Sequence, residues 1–315
     1  LGMASPNLSE IITTTLRNRS KSLSDNVSNH NALLTRLSQN GNISTVTGRE
    51  IVRELEYASN GSVNFYTGYE TLDVSPSDVL TSATFSYKQL AGNVTISGLE
   101  QIQNSGTEAI INLLESRIGV LEKTMSNTLS TSLYSDGTGS DGKEVGGLQL
   151  LVADAGTGTV GGINSTTYTF WKNAQTTATS SAFSTTNVQT DMNTMYLNLV
   201  RGNDSPDLIM ADGNAYKAFL GSLQAIQRIT SDGMAKSGFT SVAYLNSDVV
   251  FDDACPQDKM YMLNTDYLRL EVAANRNFVP GEAKMSVNQD AMVTPMFWSG
   301  NLTCSNRALQ GVIHV

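Results

Sequence analysis

The most regular pattern in the chain is a series of apolar residues, spaced three and four apart, between Ser97 and Tyr134. This spacing places them on one face of an α-helix, with a single gap at Gly106. Ser97 and Glu100 form a capping-box pattern at the start, and Ser135-Asp136-Gly137 marks the end. The pattern therefore predicts one long helix, about 54 Å at 1.5 Å per residue, that acts as the strut of an extended subunit.

The apolar face of this predicted helix consists of Leu99, Ile102, Ala109, Ile110, Leu113, Leu114, Ile118, Leu121, Met125, Leu129 and Leu133. We expect the central residues Ile110, Leu114 and Ile118 to be buried in the core. Gly119 lies in the same run, where a glycine costs about 1 kcal/mol relative to alanine. It therefore predicts a bend or the close approach of another backbone.

Alternating apolar residues predict a long β-hairpin over residues 61–97. Residues 62–69 form the first arm and residues 73–78 the turn, and the return arm alternates at Ala83, Phe85, Tyr87, Val94 and Ile96. The apolar face changes from odd to even positions, which predicts a bulge or sharp twist near Ala91-Gly92. Two-stranded hairpins are marginal alone in water, so we expect this one to lie on a neighbouring subunit. Packing on its own domain is the alternative.

A thinner helical stripe precedes the hairpin, at Leu8, Ile11, Ile12, Leu16, Leu23, Val27, Leu34 and Leu37, with Arg17, Arg19, Lys21 and Arg36 among the polar neighbours. It is too thin for a free-standing domain. The pattern predicts an arm of one or two helices over residues 8–39, whose apolar face is buried against another part of the assembly. A short strand within residues 45–57 is predicted to follow.

A compact region of helices and strands follows the strut, after a glycine-rich stretch at residues 137–162. Its patterns predict a helix over 187–200, a buried strand over 207–211, a helix that Asp212 caps and that runs to about 229, and strands over 240–245, 249–251, 259–263, 268–272 and within 292–315. The mixture of elements indicates an α+β fold.

Composition excludes several function classes. The chain has 315 residues, of which 40% are hydrophobic and 16% charged, with a net charge of −9. No basic cluster supports binding to a phosphate backbone, and no apolar run is long enough to span a bilayer. Cys255 and Cys304 are far apart in sequence, so we expect free thiols in a reducing cytoplasm; a disulfide between them is the alternative.

One segment, Gly137 to Lys143, has the G-x-x-x-x-G-K spacing of a phosphate loop. Glu144 replaces the serine or threonine that holds magnesium, and the segment follows a predicted helix instead of a strand. A flexible loop is the favoured interpretation, with a nucleotide-binding enzyme as the alternative. The histidines, His30 and His314, lie at opposite ends of the chain. We therefore expect no catalytic residue, cofactor or metal.

The order of these elements resembles the Hong Kong 97-like major capsid proteins of tailed bacteriophages. Strings similar to one branch of that family are Asp25-Asn26-Val27, Asn31-Ala32-Leu33-Leu34, Tyr66-Thr67-Gly68-Tyr69-Glu70-Thr71-Leu72, Ser97-Gly98-Leu99-Glu100 and Gly146-Gly147-Leu148-Gln149. The resemblance implies an N-terminal arm (1–60), an extended hairpin loop (61–97), a peripheral domain with a spine helix (98–149 and 276–315) and an axial domain (150–275).

The resemblance also implies a structural function: pentamers and hexamers that close an icosahedral shell around double-stranded DNA, in a virion assembled in the host bacterial cytoplasm. The implied partners are a separate scaffolding protein (or a scaffolding segment already removed), a portal and decoration proteins, without sequence-specific DNA binding or a membrane. Two alternatives remain: an encapsulin-like shell around a cargo protein, and a surface or flagellin-like filament. Pro295 and Gly300 in a β-type C-terminal region argue against the filament.

The residues expected to contact neighbouring subunits lie on the hairpin and the arm. Aromatic side chains dominate interface energetics, so the hairpin candidates are Phe65, Tyr66, Tyr69, Phe85 and Tyr87, and the arm candidates are Leu8, Ile12 and Leu16.

Overall fold

The structure is a computed structural model that describes residues 32–103, 113–223 and 241–315. The helices are α1 Ala32–Gln39, α2 Gly98–Gln103, α3 Leu113–Ser132, α4 Gly139–Gly142, α5 Leu148–Leu151, α6 Val188–Leu199 and α7 Gly213–Ser222. The strands are β1 Ile43–Val46, β2 Ile51–Glu56, β3 Leu80–Phe85, β4 Lys88–Ser97, β5 Thr159–Val160, β6 Ile163–Asn164, β7 Ala174–Thr177, β8 Leu208–Ala211, β9 Ser241–Tyr244, β10 Ser247–Phe251, β11 Lys259–Leu263, β12 Leu268–Ala273, β13 Val279–Pro280, β14 Lys284–Met285, β15 Ala291–Cys304 and β16 Gly311–His314. The predicted α+β class is confirmed.

The first sheet has six strands and is built around β15. β4 pairs antiparallel along one side of β15, and β12, β13 and β14 pair antiparallel along the other. β1 extends the sheet by pairing parallel with β12. Leu270 and Val272 of β12 face α1 and Leu129 of α3, whereas Glu271 between them bonds to Arg53 of β2. Because adjacent strand residues point to opposite faces, α1 and α3 cover one face and β2 lies on the other.

The second sheet has the order β7-β16-β11-β8-β10-β9, with α6 and α7 packed on one face. Ile209 and Ala211 of β8 belong to the core under these helices, whereas Leu208 and Met210 belong to the main core on the other face. The apolar face of α6 is fully buried, as predicted, and the Asp212 carboxylate caps α7 by accepting from Ala215 N at 2.8 Å. α7 ends at Ser222 and Leu223 is already extended, so the predicted continuation of this helix to about residue 229 is wrong.

The sheets cross the predicted domain boundaries. β12 lies within the range predicted to be axial, 150–275, but it pairs in the first sheet. β16 lies within the range predicted to be peripheral, 276–315, but it pairs with β11 and β7 in the second sheet. Each sheet therefore draws strands from both predicted domains.

The predicted strut is not one straight helix. The side chains of Glu100 in α2 and Arg117 in α3 are hydrogen-bonded at 3.0 Å. Seventeen residues of continuous helix would separate the two positions by roughly 25 Å along the axis, so α2 and α3 are not parts of one straight helix. The intervening residues 104–112, including Ile110, lie outside the described residues.

Burial along the strut follows this break. Within α3 and directly after it, Leu113, Met125, Leu129 and Leu133 are buried as predicted, but Leu114 and Ile118 are only partly buried. In α2, Leu99 and Ile102 are 63% and 72% exposed, because α2 does not continue the buried face of α3. A Cβ at Gly119 would meet nothing within 4 Å, so the predicted close approach at this glycine is wrong.

The hairpin predicted over residues 61–97 is wrong in its pairing. β3 pairs with β2, from Ile51 opposite Phe85 to Glu56 opposite Leu80, and the hairpin continues through a bond from Tyr57 N to Val79 O at 3.0 Å. β4 belongs to the first sheet. The ribbon formed by β2 and β3 is therefore closed by residues 58–78, and residues 62–69 form no strand.

The bulge predicted near Ala91-Gly92 is also wrong. β4 pairs with β15 without interruption from Lys88 to Ser97. The apolar face changes parity because Phe85 and Val94 belong to different strands. Gly92 instead allows close packing, since a Cβ there would collide with the Leu121 side chain of α3.

The end of the predicted arm is part of the subunit itself. Ala32, Leu33 and Leu37 of α1 are buried in the main core. Arg36 forms ion pairs with Asp207 at 3.6 Å and Asp248 at 3.3 Å. The earlier residues of the stripe, including Leu8, Ile12 and Leu16, lie outside the described residues.

Two buried polar residues connect distant parts of the chain. The Arg307 guanidinium donates to Leu151 O at 2.7 Å, Trp171 O at 3.0 Å and Asn173 Oδ1 at 3.1 Å. The Asp252 carboxylate accepts from Tyr134 Oη at 2.9 Å and from Leu33 N, at the start of α1, at 3.5 Å. Burial, with Asp252 nearby, raises the pKa of Tyr134 well above its usual value.

Candidate inter-subunit surface

The ribbon of β2 and β3 is fixed firmly to its own subunit. Ile51, Leu55, Ala83 and Phe85 lie in the main core. On the other side, Thr84 N donates to Gly161 O at 3.0 Å in the turn between β5 and β6. Gly161 has φ +60°, and a Cβ there would lie 2.7 Å from Ala83 Cβ, so only glycine allows this approach.

Beyond this anchored base, residues 58–78 form a loop that we call the distal loop. It carries six large apolar side chains that are mostly or fully exposed: Val63, Phe65, Tyr66, Tyr69, Leu72 and Val74. Exposed apolar surface on this scale makes the distal loop a candidate for a protein–protein contact.

Local hydrogen bonds shape the distal loop. The Asn60 side-chain oxygen accepts from Ser62 N at 3.0 Å and Ser77 Oγ at 3.1 Å, which holds the two ends of the loop together. At the far end, the Glu70 carboxylate accepts from Thr67 N at 3.1 Å and Thr67 Oγ1 at 2.8 Å. These bonds lower the pKa of Glu70 and close a turn whose third residue is the fully exposed Tyr69.

The structure divides the predicted contact residues into groups. Phe65 and Tyr69 are fully exposed and Tyr66 is 66% exposed, all on the distal loop. Phe85 is buried in the subunit's own core, and Tyr87 is partly buried against it. Leu8, Ile12 and Leu16 lie outside the described residues.

Three further exposed residues were missed: Val63, Leu72 and Val74. Their apolar character was visible in the sequence, but Val63 was assigned to a paired strand, Val74 to the turn, and Leu72 to the segment between them. The signal available was the high density of Ser, Asn, Gly and Asp around them, which is typical of a loop.

A groove beside α3 is a candidate receiving surface. It lies between β4 and α3 and is lined by Val94, Leu113, Val120, Leu121 and Arg117. Val120 is half-exposed, and Leu99 and Ile102 of the adjacent α2 are more exposed than Val120. This face therefore combines apolar surface with one guanidinium group, a combination enriched at protein interfaces.

A carboxylate clamp fixes α2 beside this groove. Glu100 accepts two hydrogen bonds from Arg117, at 3.0 and 3.2 Å, and one from Ser97 N at 2.9 Å. Glu100 N donates a hydrogen bond to Ser97 Oγ at 3.2 Å, so the predicted capping box is confirmed. Arg117, followed by the Ser97 amide, lowers the pKa of Glu100 to about 2.

We expect this clamp to make subunit stability depend on acid pH. The folded pKa lies below the ordinary 4.5, so the stabilisation is complete above pH 4.5 and is lost as the pH falls through about 2. Because solvent screens a partly exposed pair, we expect about 1–2 kcal/mol. Glu100→Gln should lose stability at pH 7 and show a weaker decline between pH 4.5 and 2 in denaturant titrations. Glu122→Gln, an exposed change on α3, is the control. Identical pH profiles for wild type and Glu100→Gln would contradict the clamp.

The described residues give no support to a metal site, a nucleotide site or a disulfide. In residues 32–103, 113–223 and 241–315, no group of three His, Cys, Asp or Glu residues is placed to hold a metal ion. The segment from Gly137 to Lys143 follows a helix, α3, and Lys88 Nζ donates to its Gly142 carbonyl. Cys255 and Cys304 are buried free thiols, and burial raises the pKa of Cys304 to about 12. Among the described helices, none has the length and apolarity to cross a membrane.

The chain is similar to known capsid proteins in sequence and in structure. The model of the family described as SU10 major capsid protein matches residues 83–291. No curated protein matches the chain. Among solved structures, the Cyanophage A-1(L) capsid asymmetric unit is 15% identical, with a TM-score of 0.72 over 95% of this chain and 96% of that one.

Two further structures are less similar. A capsid of an empty GTA particle is 9% identical, with a TM-score of 0.66 over 95% of this chain and 94% of that one. The SrpI encapsulin of Synechococcus elongatus PCC 7942 is 9% identical, with a TM-score of 0.62 over 96% and 93%. At these identities, the structural likenesses show a shared fold.

Proposed function

This chain belongs to the SU10 major capsid protein family, and from that premise we propose that its copies associate as pentamers and hexamers in a shell that encloses double-stranded DNA. The protein has the Hong Kong 97-like fold of tailed-phage capsids. It is a structural, non-enzymatic component of the virion that assembles with copies of itself into the icosahedral shell.

The distal loop is the observation that best supports a contact between copies. Its aromatic side chains Phe65, Tyr66 and Tyr69 bury little of their apolar surface within the subunit. In our proposal they lie on a neighbouring copy, in the groove between β4 and α3, where the Arg117 guanidinium can stack on a ring. The ribbon beneath is held in the core, so the loop is presented on a fixed support.

We assign the parts of the fold to the shell as follows. The first sheet with α2 and α3 serves as the peripheral domain, and the second sheet with α6 and α7 serves as the axial domain. The ribbon of β2 and β3 with the distal loop serves as the extended loop. Residues before α1, including Leu8, Ile12 and Leu16, serve as the arm that contacts a neighbour.

The charge of the chain is consistent with enclosing DNA without gripping it. A net charge of −9 gives no overall attraction to phosphate groups. We propose contacts with the DNA that are independent of base sequence. We also propose a separate scaffolding protein, a portal and decoration proteins as partners; the Phage G capsid structure contains decoration proteins.

The two structural alternatives make different particles. An encapsulin-like shell would hold a cargo protein, and a filament would not close. We expect negative-stain microscopy of purified protein to show closed shells, and particles from infected cells to contain nuclease-protected DNA. Filaments would contradict the shell, and closed particles with a protein cargo and no DNA would favour the encapsulin alternative.

We expect no covalent cross-links between subunits. Lys88 is the only lysine within residues 61–97, and its ammonium group donates to Gly142 O of the same chain. It is therefore held away from the distal loop. Boiled particles on a denaturing gel should give one band near 33.8 kDa. A ladder of multiples that survives reductant would contradict this prediction.

A further inference from the structure

Two Asn-Gly pairs occur in the chain, Asn40-Gly41 directly after α1 and Asn60-Gly61 at the start of the distal loop. The side-chain amide of an asparagine before glycine is open to attack by the next backbone nitrogen, because glycine has no Cβ to obstruct the approach. Both asparagines are exposed, so access to solvent does not distinguish the two pairs. Their hydrogen bonds do.

The reacting groups of Asn60-Gly61 are unrestrained. Among the described residues, none accepts a hydrogen bond from Gly61 N, the attacking atom, or from Asn60 Nδ2, the leaving group. Gly61 also lies in open space, since a Cβ there would meet nothing within 4 Å. Attack can therefore begin without displacing a neighbour of either nitrogen.

The Asn60 side-chain oxygen lies among three donors. It accepts from Ser62 N at 3.0 Å, from Ser62 Oγ at 2.8 Å and from Ser77 Oγ at 3.1 Å. This oxygen becomes negatively charged when a nitrogen adds to the amide carbon, and hydrogen bonds to an anionic oxygen are stronger than those to a neutral one. Donors at these distances act as an oxyanion hole, so they favour the addition.

Asn40-Gly41 is restrained at the same two nitrogens. Gly41 N donates to Ser38 O at 3.2 Å, and Asn40 Nδ2 donates to Thr265 Oγ1 at 2.9 Å. Gly41 has φ +70°, the left-handed conformation that commonly ends a helix. Attack here would break both hydrogen bonds and the turn that closes α1. The two pairs are therefore identical in residue type but differ at each reacting group.

We propose that Asn60-Gly61 is a site of spontaneous deamidation, with water as the co-reactant. Gly61 N loses its proton to hydroxide and forms a bond to Asn60 Cγ. The bond from Cγ to Nδ2 then breaks, and the nitrogen takes a proton from water and leaves as ammonia. Water opens the resulting succinimide ring at one carbonyl to give aspartate, or at the other to give isoaspartate. Either product adds a negative charge at the start of the distal loop, and isoaspartate also lengthens the main chain there.

The test follows the full-length protein during incubation at mildly alkaline pH, by peptide mapping with mass spectrometry. Trypsin separates the two pairs, because residues 37–49 and 54–88 form separate peptides. We expect the mass increase from amide to acid to accumulate at Asn60 at least about tenfold faster than at Asn40. Equal rates in the folded protein, or no conversion at Asn60, would overturn the proposal.

Denaturant separates the effect of structure from the effect of sequence. It removes both sets of hydrogen bonds, so the two asparagines should then convert at similar rates. A difference in denaturant as large as that in the folded protein would assign the preference to the flanking residues, and would also overturn the proposal.

A matched variant tests the attacking atom. Gly61 has a φ outside the left-handed region and no neighbour within 4 Å of a Cβ, so Gly61→Ala keeps the fold. The added methyl group obstructs the nitrogen and should slow conversion at Asn60 by about tenfold, with Asn40 unchanged. A protein isoaspartate methyltransferase should label residues 54–88 of the aged wild type far more than those of the variant. Equal conversion or equal labelling in the two proteins would exclude the succinimide route.

Discussion

Replacing residues 61–76 with about four Gly and Ser residues should leave a folded subunit that cannot form shells. Asn60 and Ser77 are hydrogen-bonded at 3.1 Å, so the link joins positions that already lie together. The change removes no residue of the main core, and a change in loop length alters the closure free energy by only about 0.6 kcal/mol per doubling. We therefore expect a melting temperature within about 2 °C of wild type. The contact area of Phe65, Tyr66 and Tyr69 is lost, so sedimentation should show monomers or capsomers alone.

Two comparisons make this result specific. Serine at Phe65, Tyr66 and Tyr69 keeps the loop length and should also abolish shells, because the side chains provide the contact. A larger replacement of residues 69–86 removes Ala83 and Phe85 from the core and should unfold the subunit. Normal shells from the 61–76 variant would show that the distal loop is peripheral to assembly. A clearly lowered melting temperature would show that it is part of the fold.

Arg307→Met should be among the most destabilising single changes in the chain. Arg307 is fully buried and donates to three neutral acceptors on two segments, with Leu151 on one and Trp171 and Asn173 on the other. Its loss removes the guanidinium donor from Leu151 O and Trp171 O, each at a cost of about 1–3 kcal/mol, whereas Asn173 Oδ1 still accepts from Ala153 N at 3.2 Å. The guanidinium also lies 6.0 Å from the Trp171 ring. We expect a loss of about 3–5 kcal/mol in the free energy of unfolding.

Two variants control for charge and for position. Arg307→Lys keeps the charge, but one ammonium group cannot span the three acceptors of the planar fork, so most of the loss should remain. Lys217→Met, on the exposed side of α7, should change stability by less than about 0.5 kcal/mol. Denaturant midpoints of isolated subunits measure all three. A loss below about 1 kcal/mol in Arg307→Met would mean that water replaces the guanidinium at its acceptors.

Local signals predicted most of the individual strands of the second sheet and the positions of its two helices. The buried residues of α6 recur at helical spacing, and Asp212 is a cap that acts within three residues of itself. β8 and β11 are apolar runs of four and five residues, a length typical of strands and short for a helix. In each case the information lies within about a dozen residues, which is the range over which periodicity and capping act.

The pairing partners of the strands and the interruption of the predicted long helix were harder to predict. Alternation identified β3 as a strand, but its partner β2 lies across the distal loop, and alternation carries no information about partners. The apolar series through α2 and α3 is regular enough to hide the break between them. The gap at Gly106 was the one visible sign. Arg307 and Asp252 were missed because a single charged residue in an apolar region does not reveal its acceptors or donors.

The candidate surface was predicted only in part. Phe65, Tyr66 and Tyr69 were identified from their chemistry, and their exposure agrees with that choice. Phe85 was included because it is aromatic, but its strand turns it into the core. Side-chain type indicates what can bind, whereas the direction of each side chain depends on strand register, which tertiary pairing sets.

The pairing of β4 with β15 also dictates the order in which the chain can fold. The ladder joins residue 88 to residue 300 and residue 97 to residue 291, and β1 finds its partner β12 more than 200 residues later. During synthesis, β1 and β4 leave the ribosome with no strand to pair with until the C-terminal quarter has followed. The contact order is therefore high, and we expect slow folding during which unpaired strand edges stay open to aggregation. Subunits that can assemble should appear with a delay after translation ends, so the supply of folded protein, as well as affinity between copies, limits how fast shells accumulate.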